Sequence, residues 1–390
     1  MRFSRSRDAE PDEATRDNGH LGWSKAKSTS TQQLSPSQSN YLPQNLARVK
    51  FGRSTVPMQK SVSRRAPDEH TSVWIVVSML AMIILPAAIA LNTVRTPGQL
   101  KIEGSNPTPY GYSWSLLLFI VPIVVIAFVY LPRAEIKIPR QAFWWTIGIL
   151  VPIGCATDFF FASRFFVFEN PGATLGISAP ALNKPVPVEE YVFYLTGFIA
   201  VLLIYLWLDE YWLGKYAEPD YRAESKNIPR LVQFHPLSAV LGAGFILAGI
   251  VYKKLFSPNP EGFPEYFIFL VLVGFVPSAS FFRTAQPFVN WRALSFALFF
   301  ILLLRMLWEA TLAVPYGWWG HQDNQMLGIR IGAWSRLPIE AVCVWIAVTY
   351  TTAIFFEIIK LWLASGRPAK HAFLGLKTPP KARARRSRHV

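Results

Sequence analysis

The chain has 390 residues, 52% of them hydrophobic and only 16% charged, with a mean hydropathy of +0.26. A soluble domain carries about a quarter charged residues, so the composition argues against a water-soluble globule. The two cysteines, Cys155 and Cys343, lie inside apolar runs and offer neither a disulfide framework nor a ligand spacing for zinc or iron–sulfur. The formal charge of +15 is concentrated in the tails: twelve Lys/Arg against seven Asp/Glu before Thr71, and eight Lys/Arg with no acid from Arg367 onward. Charge so placed fits membrane-flanking segments that meet anionic headgroups, and no nucleic-acid partner is expected.

In chain order, residues 1–70 are rich in Ser, Gln and Pro and poor in apolar runs, which predicts a disordered basic and polar tail. No signal peptide is expected, because the first apolar stretch begins about seventy residues in. Eight apolar blocks follow, at roughly 72–92, 112–131, 141–163, 187–208, 237–256, 264–282, 287–311 and 338–363. Each is near the 20 or so residues that cross a bilayer as a helix. The expectation is an all-α polytopic membrane bundle of about eight transmembrane helices. Basic tails at both ends of an even number of spans predict cytoplasmic termini, and Arg133, Lys137 and Arg140 agree with that orientation.

The chain repeats itself. The third block ends "CATDFFFASRFF", and Pro187 of "PVPVEEYVFY" comes 29 residues after Asp158; the seventh ends "RMLWEATLAVPYGWW", and Pro338 of "LPIEAVCVW" comes 29 residues after Glu309. Both intervals carry an aromatic pair, Phe165-Phe166 and Trp318-Trp319, and then Leu-Gly-Ile at 175–177 and 327–329. This predicts two tandem four-helix repeats, 71–212 and 237–364, joined by a cytoplasmic linker at 213–236 and followed by a basic tail at 365–390. Parallel repeats of this kind place a site where the halves meet.

Asp158, Glu189, Glu190, Glu309 and Glu340 are the candidate catalytic groups. Glu in a first helical turn beside Pro is ordinary capping chemistry, and Asp158 and Glu309 have Arg164 and Arg305 as candidate structural ion-pair partners, but ionisable residues at matching places in two membrane repeats suggest function. Carboxyls gathered in an apolar pocket cannot all ionise, so one is kept as a proton donor beside an anion that stabilises developing positive charge. Aromatic faces add to that stabilisation, and Phe165, Phe166, Tyr191, Tyr194, Trp318 and Trp319 are the candidate substrate-binding rings. Such a set suits protonation of an alkene followed by ring closure or addition of water. No nucleotide-binding or flavin-binding glycine pattern follows a strand, and neither a cofactor nor a metal is expected. His321, in "GWWGHQDNQ", reads as a solvated loop histidine, with proton shuttling as the alternative.

The Asp-(29)-Pro-Val-Glu-Glu-Tyr-Val-Phe-Tyr pattern of residues 158–194 and its fainter copy at 309–345, where Ala341 replaces the second Glu, resemble the repeated domain of the membrane-embedded lycopene cyclases. In bacteria these occur as two small subunits, and in fungi they are fused to a phytoene synthase. The resemblance covers roughly residues 70 to 363. It implies non-redox β-cyclisation of a linear carotenoid's end groups, an isomerase-type intramolecular lyase with the motif glutamates as acid and base. It further implies a hydrophobic isoprenoid substrate, membrane lipid as surroundings, and other carotenoid-pathway enzymes as partners. Two alternatives stay open: a hydratase or cyclase of another polyprenyl chain, and a proton-coupled transporter.

Overall fold

A computed structural model describes residues 109–131, 138–214, 221–332 and 335–376, with the isolated helical positions 77, 80, 81 and 84. The chain divides into two units, residues 1–64 and 65–390, and the described residues all belong to the second. The expected tail at 1–70 and, apart from those four positions, the expected block at 72–92 lie outside the described residues.

Seven helices among the described residues are long and apolar enough to cross a membrane, and they coincide with the other seven apolar blocks. In chain order they are α1 (Gly111–Val125, continued by a wide turn at Ile126–Tyr130), α2 (Arg140–Phe165), α3 (Val188–Trp207, continued at Leu208–Trp212), then, after the short α4 (Tyr221–Glu224), α5 (Pro236–Leu255), α6 (Glu265–Ala285), α7 (Trp291–Trp308, continued at Glu309–Ala313) and α8 (Glu340–Ser365); a short α9 (Ala369–Leu374) ends the described chain. The continuations are π-helical, a single turn with one residue too many for the α ladder, of a kind often found at functional sites.

Helices α3 and α8 form the middle of the bundle. Within their most apolar windows 67% and 61% of residues are buried, against 22% for α5 and 28% for α6. Helix α8 packs on α2, α3, α6 and α7, and α3 packs on α1, α2, α7 and α8. The outer helices turn large apolar side chains outward, among them Trp144, Ile153, Val240, Leu247 and Phe299. In water such a surface would drive aggregation; against acyl chains it is the required solvent. Pro277 lies inside α6 and has no N–H for the Val273 carbonyl one turn back. The Thr351 hydroxyl of α8 donates to that carbonyl at 2.8 Å, so the neighbouring helix completes the broken ladder.

The loops between helices form three two-stranded ladders. Phe166–Val167 (β1) pairs antiparallel with Gly320–His321 (β4), Ser178–Ala179 (β2) with Val186–Pro187 (β3), and Arg330–Ile331 (β5) with Leu337–Pro338 (β6). The second and third are hairpins that lead into α3 and α8. Each is preceded by a 3-10 turn (Pro171–Ala173 and Asp323–Gln325) and by a glycine of positive φ, Gly176 at 73° and Gly328 at 94°. A side chain at such a φ would meet its own backbone, which accounts for the glycine in each Leu-Gly-Ile. The first ladder crosses between the halves. It is flanked by two reciprocal bonds, Asn170 N–H to the Gly317 carbonyl (3.0 Å) and Gln322 N–H to the Phe165 carbonyl (2.9 Å).

Past α8 the chain turns back onto the 221–235 segment. The N–H groups of Leu231 and Val232 donate to the carbonyls of Ala372 and Phe373, and the Arg367 guanidinium donates to those of Ser225 and Ile228. The first residues of the expected basic tail are therefore docked on the linker.

Candidate functional site

Consecutive residues on a helix point about 100° apart, and this separates the two glutamates that open α3. Glu189 turns toward the loop: its Oε1 accepts from the Leu175 N–H at 2.6 Å and from the Ser113 hydroxyl at 2.5 Å. Glu340 at the start of α8 does the same, accepting from the Leu327 N–H at 2.6 Å. Leu175 and Leu327 are the first residues of the two Leu-Gly-Ile segments, so each Pro-x-Glu start holds down its own hairpin. Lys253 and Arg330 lie within electrostatic reach of Glu340.

Glu190 turns inward. It lines a cavity of about 70 Å³, room for a few water molecules. Its Oε1 accepts from the Tyr112 hydroxyl at 2.6 Å. Glu309 lines the same cavity from the other half, at the first position of the π turn of α7, and accepts from the Trp345 indole N–H at 3.3 Å. Asp158 is 1% exposed and does not line the cavity. The Tyr194 phenol approaches it without making a well-formed hydrogen bond, so both carboxyl oxygens stay unpartnered. Asp158 nonetheless lies close enough to Glu190 for the two charges to interact.

The five carboxyls thus gather at one end of the bundle, but in different roles by position. Glu190 and Glu309 open on the cavity, Glu189 and Glu340 hold loops, and Asp158 sits behind.

Much of the cavity wall comes in pairs. Glu190 and Ala341, Phe193 and Val344, Tyr194 and Trp345, and Gly197 and Val348 all line it, each pair 151 residues apart on α3 and α8. Tyr112 and Tyr266, the second residues of α1 and α6, form a fifth pair. Of the six candidate aromatics, Phe166, Tyr194 and Trp319 line the cavity. Phe165 instead packs on Tyr266 (ring centroids 4.9 Å apart), Trp318 stacks on Tyr112 at 6.3 Å, and Tyr191 donates its hydroxyl to the Pro180 carbonyl in the hairpin.

Behind the cavity lies Arg305, 1% exposed, its guanidinium 4.0 to 4.8 Å from the ring centres of Trp345, Phe119, Phe193 and Trp308. A guanidinium stays charged at any ordinary pH, and buried without partners it would cost several kcal/mol. Four aromatic faces, with Glu309 and Glu190 within electrostatic reach, compensate. The expected structural pairing of Asp158 with Arg164 is not found, because Arg164 is bound to Glu265 instead. Arg305 does lie near Glu309, but its closest surroundings are rings.

His321 corrects an expectation. It is half-buried and lines the cavity, its ring edge-on to Phe166 with centroids 5.5 Å apart. It lies outside the spans, and burial, helped by the Arg330 charge, pushes its imidazole down to about 3. Its neutral form is therefore the favoured one near pH 7.

Sequence reading also passed over a second buried cluster, which begins about 14 Å along α8 beyond Val348, the last cavity-lining residue of that helix, at 1.5 Å per residue. There Lys360 and Glu357 form an ion pair at 2.8 Å, Tyr205 donates to Glu357 at 3.1 Å, and Asn290 donates to Asp209 at 3.0 Å. Glu357 and Lys360, one turn apart inside an apolar block, were the signal that could have found it.

Comparisons of the chain with protein-family models, with curated proteins and with solved structures give no match.

Proposed function

We propose that the protein is a membrane-embedded, proton-initiated isoprenoid cyclase of the lycopene cyclase type, built from two tandem repeats with its termini in the cytoplasm. One observation carries the reading: Glu190 and Glu309, from different halves, open on a single aromatic-lined cavity. The five matched wall pairs and the twin hairpins support the duplication.

In this reading one of the two cavity carboxyls gives its proton to a terminal double bond of a linear isoprenoid, and the other is the counter-anion. Tyr112, Tyr194, Tyr266 and Trp319 line the cavity that would hold the developing cation. The neighbouring double bond closes the ring, and loss of a proton ends the reaction. Atoms and electrons are conserved, so no redox partner is called for. Arg305 is a positioning group, since its rings keep its charge away from the cation while its field holds an anion in the cavity wall.

The test is expression in a host that accumulates lycopene, with pigments separated by chromatography. Cyclic carotene is expected from the wild type and none from Glu309→Gln. Well-inserted wild-type protein with unchanged pigment would overturn the carotenoid reading, and a ring-closed or hydrated product from another polyprenyl chain would move the substrate. The second cluster at Glu357 and Lys360 favours one rival, a transporter with ionisable groups at both ends of its central helices. That reading predicts proton-dependent flux in vesicles and no new product.

A further inference from the structure

Ring closure leaves a tertiary carbocation, and the identity of the product depends on which neighbouring C–H is then broken. Such a cation is a very strong acid, so the group that takes its proton need not be a strong base. It must be unprotonated when the cation forms, and it must be held on one side of the ring.

Three kinds of proton-active side chain face the cavity: the carboxyls Glu190 and Glu309, the phenols Tyr112, Tyr194 and Tyr266, and the imidazole of His321. Glu190 and Glu309 are occupied as donor and counter-anion. The phenols carry their protons at neutral pH and are poor acceptors. His321 stands apart. Its backbone is fixed by the β1–β4 ladder opposite Phe166, and the Gln322 N–H bond to the Phe165 carbonyl secures the next residue. Its ring is held edge-on to the Phe166 ring at the seam between the halves. The imidazole therefore reaches the cavity from a loop, whereas Glu190 and Glu309 reach it from helix turns.

We propose that His321 is the base that removes the terminal proton and so fixes where the new double bond forms. The inference rests on the cyclase reading above. Each step balances. The carboxylic acid's O–H breaks as a C–H forms on the end group, and the next double bond's electron pair makes the ring C–C bond. An imidazole nitrogen lone pair takes the adjacent hydrogen, and that C–H pair becomes the ring C=C. The imidazolium then returns its proton to the carboxylate left by the first step, restoring both groups. Burial and the Arg330 charge, which disfavour a protonated ring, drive this return. Arg330 is itself held by Asp323, two residues past the histidine.

The experiment compares wild type, His321→Gln and His321→Ala in the lycopene-accumulating host and in detergent-solubilised enzyme. It scores substrate consumed separately from the ratio of ring isomers and alcohols. The variants are expected to consume substrate, with the share of wild-type ring isomer falling at least tenfold in favour of other double-bond isomers or of water-trapped alcohol. Imidazole added to His321→Ala should restore that share. An unchanged isomer ratio in both variants overturns the proposal. If His321→Ala makes no product, recovery with imidazole supports it and absence of recovery overturns it. A wild type that leaves the end group open sinks the cyclase reading itself, a result distinct from any failure confined to the variants.

Discussion

The two Pro-x-Glu helix starts share one task and divide another. Pro187-Val188-Glu189-Glu190 and Pro338-Ile339-Glu340-Ala341 both place a glutamate on the N–H of a Leu-Gly-Ile loop at 2.6 Å. At the next position one half puts a carboxyl into the cavity and the other a methyl group. The preceding acid shows the reverse, Glu309 reaching the cavity while Asp158 stops behind it. Each half therefore supplies one cavity carboxyl, from different elements. On the proposed duplication, the groups that hold loops are kept in both copies because both loops must be held, whereas a cavity carboxyl has to be kept in only one copy at each place.

The sharpest way to break this comparison is to treat the paired positions alike. Glu190→Gln keeps the shape and the Tyr112 contact but removes a carboxyl that can serve as acid or anion, and turnover in the pigment assay should fall by roughly 10²–10⁴-fold. Ala341→Ser, at the matching place, should leave turnover within a few-fold. Equal losses would mean that the halves are not divided as described.

A smaller effect is expected at the shared task. Glu340→Ala leaves the buried Leu327 N–H without its acceptor and should cost about 1–3 kcal/mol in denaturant unfolding from mixed micelles. Glu340→Gln keeps an acceptor oxygen and should cost less than about 1 kcal/mol. Glu189→Ala and Glu189→Gln should follow the same order. A large loss of activity in stable Glu189→Gln would return that residue to the reaction.

An effect of similar size is a pH slope. His321 has a folded pKa of about 3, below the unfolded value near 6.5. Its contribution is present above pH 6.5 and lost as pH falls toward 3, because the unfolded chain then binds a proton that the folded chain refuses. Wild-type melting temperature should thus drop faster than that of His321→Gln between pH 7 and pH 5. Parallel slopes would show that the imidazole is not sequestered.

Seven of the eight blocks were legible because membrane spans need only length and apolarity, and the composition supplies both. The matched spacing of the acids and of the two Leu-Gly-Ile segments was visible in the sequence. The hairpins were not, since two-residue strands are too short to show an alternation. Nor were the π turns at Ile126–Tyr130, Leu208–Trp212 and Glu309–Ala313, whose sequences share no pattern. Glu189 and Glu190 were found as a pair, but their division of labour depends on which side of α3 meets the loop. Tyr112 and Tyr266 went unremarked, although each follows the first residue of an apolar helix. Arg305 was read as a partner for an acid, and the aromatic cage around it gathers side chains from four helices.

The crossed ladder above the cavity bears on traffic. Because Asn170 reaches Gly317 while Gln322 reaches Phe165, the lid is laced from both sides, and lifting either half would tear backbone bonds contributed by both. A substrate of the proposed kind, already dissolved in the bilayer, would have a cheaper route: to slip sideways between two helices, parting side chains and leaving the stitching whole.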